Sequence, residues 1–156
     1  MAVEFLKPTQ ELITHVAENM RPADAAEVWA SSRLTPLEAL ERSWRASDMS
    51  AVVSVNGEPC AMLGLVVSSI LGDEGIPWLL STEQALKHKR EFLKLVPGVI
   101  SEMLSSCSYL FNYVHCENTV STKWLKRIGF TMCDPAPYGP DGELFLKFHI
   151  RRGNCV

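Results

Sequence analysis

Apolar positions along the chain change their spacing several times, and each change marks a new element. Val3 to Leu6 is β-leaning and closed by Pro8, which predicts a first strand. Thr9 then stands as a helix cap, and Leu12, Ile13, Val16 and Met20 share one helical face suited to packing on a sheet. Arg21-Pro22 opens a second helix with the proline at its first position, and the pattern turns Ala26 and Trp29 inward. Thr35-Pro36-Leu37-Glu38 spells a capping box, followed by Leu37, Leu40 and Trp44 on one face.

After Asp48 the period drops to that of strands. Met49 to Val55 and Cys60 to Ile70 flank Asn56-Gly57, residues that tolerate positive φ, so the stretch reads as a hairpin. Gly64 inside the second strand marks a bulge or a close approach. A turn over Gly72 to Gly75 leads into a third strand, Ile76 to Leu80, and Ser81-Thr82-Glu83-Gln84 reads as a second capping box. Phe92, Val96, Val99, Ile100 and Met103 keep helical spacing to about Cys107, with a kink or restart expected at Pro97.

Tyr109 to His115 alternates again, with Tyr109, Phe111, Tyr113 and His115 on one side and Leu110, Asn112 and Val114 on the other. Glu117-Asn118-Thr119 makes a polar turn and Ser121 to Ile128 a short helix stopped at Gly129. Trp124 and Ile128 take one face of that helix, and Lys123, Lys126 and Arg127 the other. Phe130 to Cys133, a Pro/Gly-rich loop over 134–142, and Leu144 to Ile150 predict a closing hairpin, with a frayed tail over 151–156. The organisation expected is one domain over 1–150 plus that tail.

Composition narrows the class. The chain has 156 residues, 47% of them hydrophobic, enough for a single continuous core. A net charge of −3 gives no general reason to expect nucleic-acid or membrane-surface binding, so any basic site must be local. Five cysteines without CxxC spacing point to reduced thiols rather than a disulfide framework or a metal site. With no basic leader and no long apolar run, the expectation is a soluble, cytoplasmic protein.

Two places suggest chemistry. A strand running straight into a helix at Ser81 presents unpaired N–H groups and a partial positive charge, and Lys87, His88, Lys89 and Arg90 follow at once. That run is either a phosphate site or a solvated helix face. Asn112, in an otherwise apolar strand, needs partners, because an unpaired buried amide costs about 1–3 kcal/mol. His115, Glu117 and Tyr113, at the end of the same strand, are the candidates for acid or base work.

The order strand, helices, three strands, long helix, strand, short helix, hairpin resembles the GNAT N-acetyltransferase fold, as does Asn118-x-x-Ser121-x-x-x-Leu125-x-x-x-Gly129-Phe130. More narrowly, PWLLST before a basic helix, then FNYV and ENT…WLKRIGF, resembles the GNAT-like small internal virion proteins of T-seven-like podophages. The resemblance implies an α/β (α+β) fold, with a mixed, mostly antiparallel twisted sheet and helices on both faces. It implies acetyl-CoA as cofactor, with its pantetheine arm beside Trp78, Leu79 and Leu80 and its phosphates near Ser81, Thr82, Lys87, Lys89 and Arg90. Asn118 takes the place of the family's asparagine on the pantetheine or substrate side, with Asn112 and Ser121 beside it.

Two departures stand against the family pattern: Ser81 to Arg90 contains no glycine, and position 125, often a proton-donating tyrosine, is Leu125. The resemblance thus implies an acetyl-CoA-dependent N-acetyltransferase acting on a protein or small amine, placed in the host cytoplasm or with the virion. The alternative is a non-catalytic GNAT-fold protein that serves virion assembly or binds a host or phage protein.

Overall fold

The strands are β1 (Val3–Leu6), β2 (Met49–Val55), β3 (Glu58–Ser69), β4 (Glu74–Ser81), β5 (Tyr109–His115), β6 (Thr131–Met132), β7 (Ala136–Tyr138) and β8 (Glu143–Arg151). In the computed structural model, which describes residues 2–153, they form one sheet ordered β1-β2-β3-β4-β5-β8-β6, with β7 paired to β8. Every pairing is antiparallel except β4 with β5. The helices are α1 (Gln10–Glu18), α2 (Pro22–Ser32), α3 (Pro36–Ala46), α4 (Gln84–Lys87), α5 (Lys89–Ser106) and α6 (Thr119–Arg127). Among the described residues no helix is long and apolar enough to cross a membrane.

Helices lie on both faces, which explains why Cys60 to Leu65 is buried without interruption: with both sides covered, strand alternation disappears. On one face Val53, Leu63, Leu110, Phe148 and Ile150 pack against Phe92, Val96, Ile100 and Met103 of α5 and Leu125 of α6. On the other, Val52, Met62 and Leu80 meet Ile13 and Val16 of α1, Val28 of α2 and Leu40 of α3. Each fully buried Leu or Ile contributes about 1.5–3 kcal/mol.

Local signals were accurate where the backbone itself sets the answer. Thr9 accepts from the Leu12 N–H, and Thr35 and Glu38 form the reciprocal capping box. Asn56 and Gly57 hold φ of 52° and 83°, as the β2–β3 turn requires. The stop after α6 is a Schellman motif: Phe130 N–H donates to Leu125 O at 3.1 Å and Gly129 N–H to Lys126 O at 3.2 Å, with Gly129 at φ 113°.

Other expectations are corrected. Ala26 and Trp29 face outward, Trp29 being 49% exposed beneath the Arg33 guanidinium, while Asp24, Val28 and Ala30 point inward. Ser81 caps no helix: its N–H and hydroxyl both donate to Asp24, at 3.0 and 3.1 Å, and Thr82 Oγ1 accepts from the Gln84 N–H instead. The two facts have one cause, since α2 is rotated to bring the Asp24 carboxylate to β4. The long helix therefore starts at Lys89, after the single turn α4, and runs through Pro97. The Pro/Gly-rich loop contains β7, and Arg151 belongs to β8, paired with Tyr109. Arg152 donates to Leu104 O at 2.6 Å; residues 154–156 of the expected tail lie outside those described.

Gly64 is a close approach. A Cβ there would lie 2.7 Å from Trp78 Cζ2 and 2.8 Å from Met49 O, so the indole lies directly over β3 while its Nε1 donates to Ser47 Oγ at 2.8 Å. Gly64→Ala is expected to displace the indole, break the Ser47 bond and cost about 1–3 kcal/mol, read as a lower urea midpoint with an altered near-ultraviolet tryptophan band.

Candidate functional site

The site begins with a proline. β4 and β5 pair only at Glu74 with Tyr109 and Gly75 with Leu110. Pro77 is the next residue of β4 facing β5 and has no N–H to give, so the parallel ladder stops there and the strands part. Asn112 spans the opening: its Nδ2 donates to Pro77 O at 2.8 Å, while its Oδ1 accepts from the Tyr113 N–H at 2.8 Å. By strand alternation the N–H and C=O of Leu79 also point into the gap.

A cleft of about 920 Å³ passes through the sheet at this split. On the α5/α6 side it is walled by Leu79, Leu86, Phe92 and Trp124, and Lys89, Lys123 and Arg127 stand along it. On the other side it is lined by Trp78, Tyr113, Tyr138, Arg42, Asp24 and Glu27. Tyr138 of β7 stacks on Tyr113 at 4.2 Å, and the turn after it is seated on α2: Gly139 lies so close that a Cβ would fall 2.3 Å from Ala30 O, and Asp141 pairs with Arg33.

Beneath this side lies a buried polar cluster. Arg21 donates to Asp24 Oδ1 at 3.0 Å, to Asn118 Oδ1 at 3.3 Å and to Ser121 Oγ at 3.4 Å. Asn118 Nδ2 donates to Asp24 Oδ1 and to Glu27 Oε1, both at 3.2 Å. Glu27 Oε1 also accepts the His115 N–H at 2.9 Å. Burial is the largest influence on Glu27 and pushes its pKa from 4.5 up to about 7; the Asp24 charge adds to it, and the bonds from His115 and Asn118 oppose it. A carboxyl poised near neutrality beside a cleft is suited to exchanging protons with a ligand.

The residues singled out from sequence separate into two groups. Trp78, Leu79, Leu80, Asn112, Tyr113, Ser121 and Lys89 line the cleft. Ser81, Thr82, Lys87, Arg90, His115, Glu117 and Asn118 do not. Ser81 is spent on Asp24, and Thr82 donates to Cys60 O at 3.2 Å. His115 has both ring nitrogens engaged, Nδ1 accepting the Glu117 N–H at 3.1 Å and Nε2 lying 2.9 Å from Glu143 Oε1, so it ties the end of β5 to the start of β8. Asn118 is buried with its amide committed to Arg21, Asp24 and Glu27, which makes it a positioning residue beneath the cleft. Leu125 lies in the core. The residues missed were Arg21, Asp24, Glu27, Lys123 and Arg127. Asp24 and Glu27, three apart next to an inward helical face, were the available signal.

Comparison with solved structures places this architecture. The aminoglycoside acetyltransferase AAC(6')-Ib in complex with coenzyme A superposes with a TM-score of 0.71 at 16% identity, covering 98% of this chain and 96% of that one. RimL, a ribosomal L7/L12 alpha-N-protein acetyltransferase in complex with coenzyme A, gives 0.73 at 7% identity, covering 100% and 97%. The ribosomal-protein-S18-alanine N-acetyltransferase from Escherichia coli gives 0.66 at 14% identity, covering 96% and 92%. No curated protein sequence matches the chain. Residues 51–134 match the family described as "Bacteriophage T7, probable scaffold protein Gp13". The stretch runs from within β2 through β6 and so includes both strands of the split; the chain has the GNAT fold and belongs to this bacteriophage T7 Gp13 family.

Proposed function

We propose that the chain binds acetyl-CoA through the β4–β5 split and transfers the acetyl group to an amine of a protein or small molecule presented on the α2 side. The observation that carries this reading is the cleft itself, which crosses the sheet where Pro77 ends the ladder and connects a cationic mouth to a carboxyl poised near neutrality. The residues present fit the cofactor. The Leu79 C=O offers an unpaired strand-edge acceptor to an amide-bearing arm, the walls are apolar, and Lys89, Lys123 and Arg127 suit phosphates. The likeness to enzymes solved with coenzyme A supports the same choice.

When bound, acetyl-CoA supplies a thioester carbonyl open to attack. An aliphatic amine is mostly protonated at neutral pH, its pKa being near 10.4 in lysine. Glu27, ionised above about 7, accepts that proton and leaves the amine nucleophilic. The Leu79 N–H would face the thioester carbonyl oxygen as a hydrogen-bond donor. Asn118 and the His115 N–H hold the Glu27 carboxyl in place. Tyr113 and Tyr138 form the acceptor wall, and the Tyr113 hydroxyl would protonate the departing coenzyme A thiolate in place of a tyrosine at position 125. The site of action is the infected cell's cytoplasm.

A specific pair of observations favours a second reading without catalysis. Leu125 is core, and the turn before α5 has no glycine to admit phosphate closely. On that reading the fold serves phage assembly, as the family's description suggests.

Two experiments separate the readings. Thiol release from acetyl-CoA in the presence of a panel of amines and peptides should appear with at least one acceptor; silence across the panel with acetyl-CoA bound favours the second. Charge reversal of Lys89, Lys123 or Arg127 to glutamate should weaken coenzyme A binding by roughly fivefold each, and less in high salt. Lys87→Glu and Arg90→Glu should leave it within about twofold, because those side chains do not reach the cleft. Losses at Lys87, Lys89 and Arg90 with none at Lys123 and Arg127 would place the phosphates at the start of α5 instead.

A further inference from the structure

The helices leave part of the sheet bare. On the face covered by α1 to α3, the apolar core extends over β2, β3 and β4, and neither core includes Tyr109, Phe111 or the β8 residues opposite them. Register places Tyr109 opposite Arg151, Phe111 opposite His149 and Tyr113 opposite Lys147, so these side chains share one face.

They form an alternating arrangement of rings and cations. Tyr109 and Phe111 are stacked with centroids 5.7 Å apart and planes 24° from parallel, and the His149 ring lies 5.8 Å from Tyr109. The Arg151 guanidinium sits 4.3 Å above the Tyr109 ring, and the Lys147 ammonium is 5.0 Å from Phe111 and 5.8 Å from Tyr109. Glu74 flanks this face on β4, in register with Tyr109. In a chain of net charge −3, these half-buried rings interleaved with lysine and arginine form a local surface of the opposite sign, with Glu74 at its edge.

We propose that this β5–β8 face binds single-stranded nucleic acid. Unpaired bases stack on aromatic rings and on arginine guanidinium planes, and phosphates are neutralised by adjacent cations. Tyr109, Phe111 and the guanidinium of Arg151 supply the stacking surfaces, and Lys147 with Arg151 supply the charge. A second copy of the chain fits less well: the face carries two cations, Lys147 and Arg151, against the single carboxylate Glu74, so two such faces pressed together leave cations unpaired. The surface adjoins the split at Tyr113, but its rings and cations at Tyr109, Phe111, Lys147 and Arg151 lie outside the cleft lining and do not depend on acetyl-CoA.

The test is fluorescence anisotropy of the whole protein with labelled single strands of about 12 nucleotides, one DNA and one RNA. Binding to at least one is expected, and a preference between them identifies the natural partner. Phe111→Ala should weaken it by about tenfold, the loss of one stacked base. Lys147→Gln and Arg151→Gln, on partly exposed side chains, leave the fold intact. Each should lower affinity and flatten the dependence of log K on log salt by about 0.7, the value for one phosphate of a single strand. Absence of binding to both strands would overturn the proposal, as would binding that none of these variants alters. Self-association of the free protein abolished by Lys147→Gln would overturn it too, by making the face a contact between copies.

Discussion

Asp24→Ala is expected to cost about 3–5 kcal/mol of folding stability, the largest effect of any single substitution proposed for this chain. Asp24 is 3% exposed and accepts four hydrogen bonds, from Arg21, Asn118, and the N–H and hydroxyl of Ser81. Removing it leaves the Arg21 guanidinium, itself only 8% exposed, as a buried cation without its counter-charge. It also frees the end of β4 from α2. Urea denaturation measures the loss. Arg21→Ala should be costly for the same reason, and the double variant should cost clearly less than the two singles added, because they break one interaction. Additive losses would mean that Arg21 and Asp24 are not energetically paired.

The second large effect separates activity from stability. Glu27→Gln is expected to lower acetyl transfer by about 10²–10⁴-fold, the range for loss of a general base, while making the protein more stable above pH 7. Its folded pKa lies near 7 against 4.5 ordinarily, so the folded state holds a proton that the unfolded chain releases. Between those values stability falls as pH rises; the favourable contribution is fully present below 4.5 and gone above about 7. The span corresponds to about 3 kcal/mol, which glutamine avoids because it has no charge to bury and its Oε1 still accepts from His115 and Asn118. Denaturation at pH 5 and pH 8, with the pH profile of transfer, checks both halves. A variant that loses activity and is equally destabilised at both pH values would show Glu27 to be structural.

The sequence made the fold legible because the features that define it are local: capping at Thr9 and Thr35, positive φ at Asn56-Gly57, and the Gly129 stop. Each is decided by a few neighbouring residues. The site was only half legible, because it is assembled from distant parts of the chain. Asp24 and Ser81 are 57 positions apart and Arg21 and Asn118 are 97 apart, and nothing near Ser81 announces that its hydroxyl is committed to α2. Residue type alone therefore makes Ser81 a helix cap. The same long-range network turns Trp29 outward, against the helical pattern. Pro77 was a readable signal: a proline inside a strand marks the side on which pairing fails, and here that side opens the cleft. His115 shows the limit of residue type, since the bonds that occupy its ring come from a backbone N–H and from Glu143.

Calorimetric titration with acetyl-CoA decides whether the β4–β5 split is a cofactor site. One site per chain is expected, weakened by Lys89→Glu and Arg127→Glu, with saturation at a hundred times Kd adding about 2.7 kcal/mol to stability. No heat of binding and no shift in Tm at millimolar acetyl-CoA would contradict it.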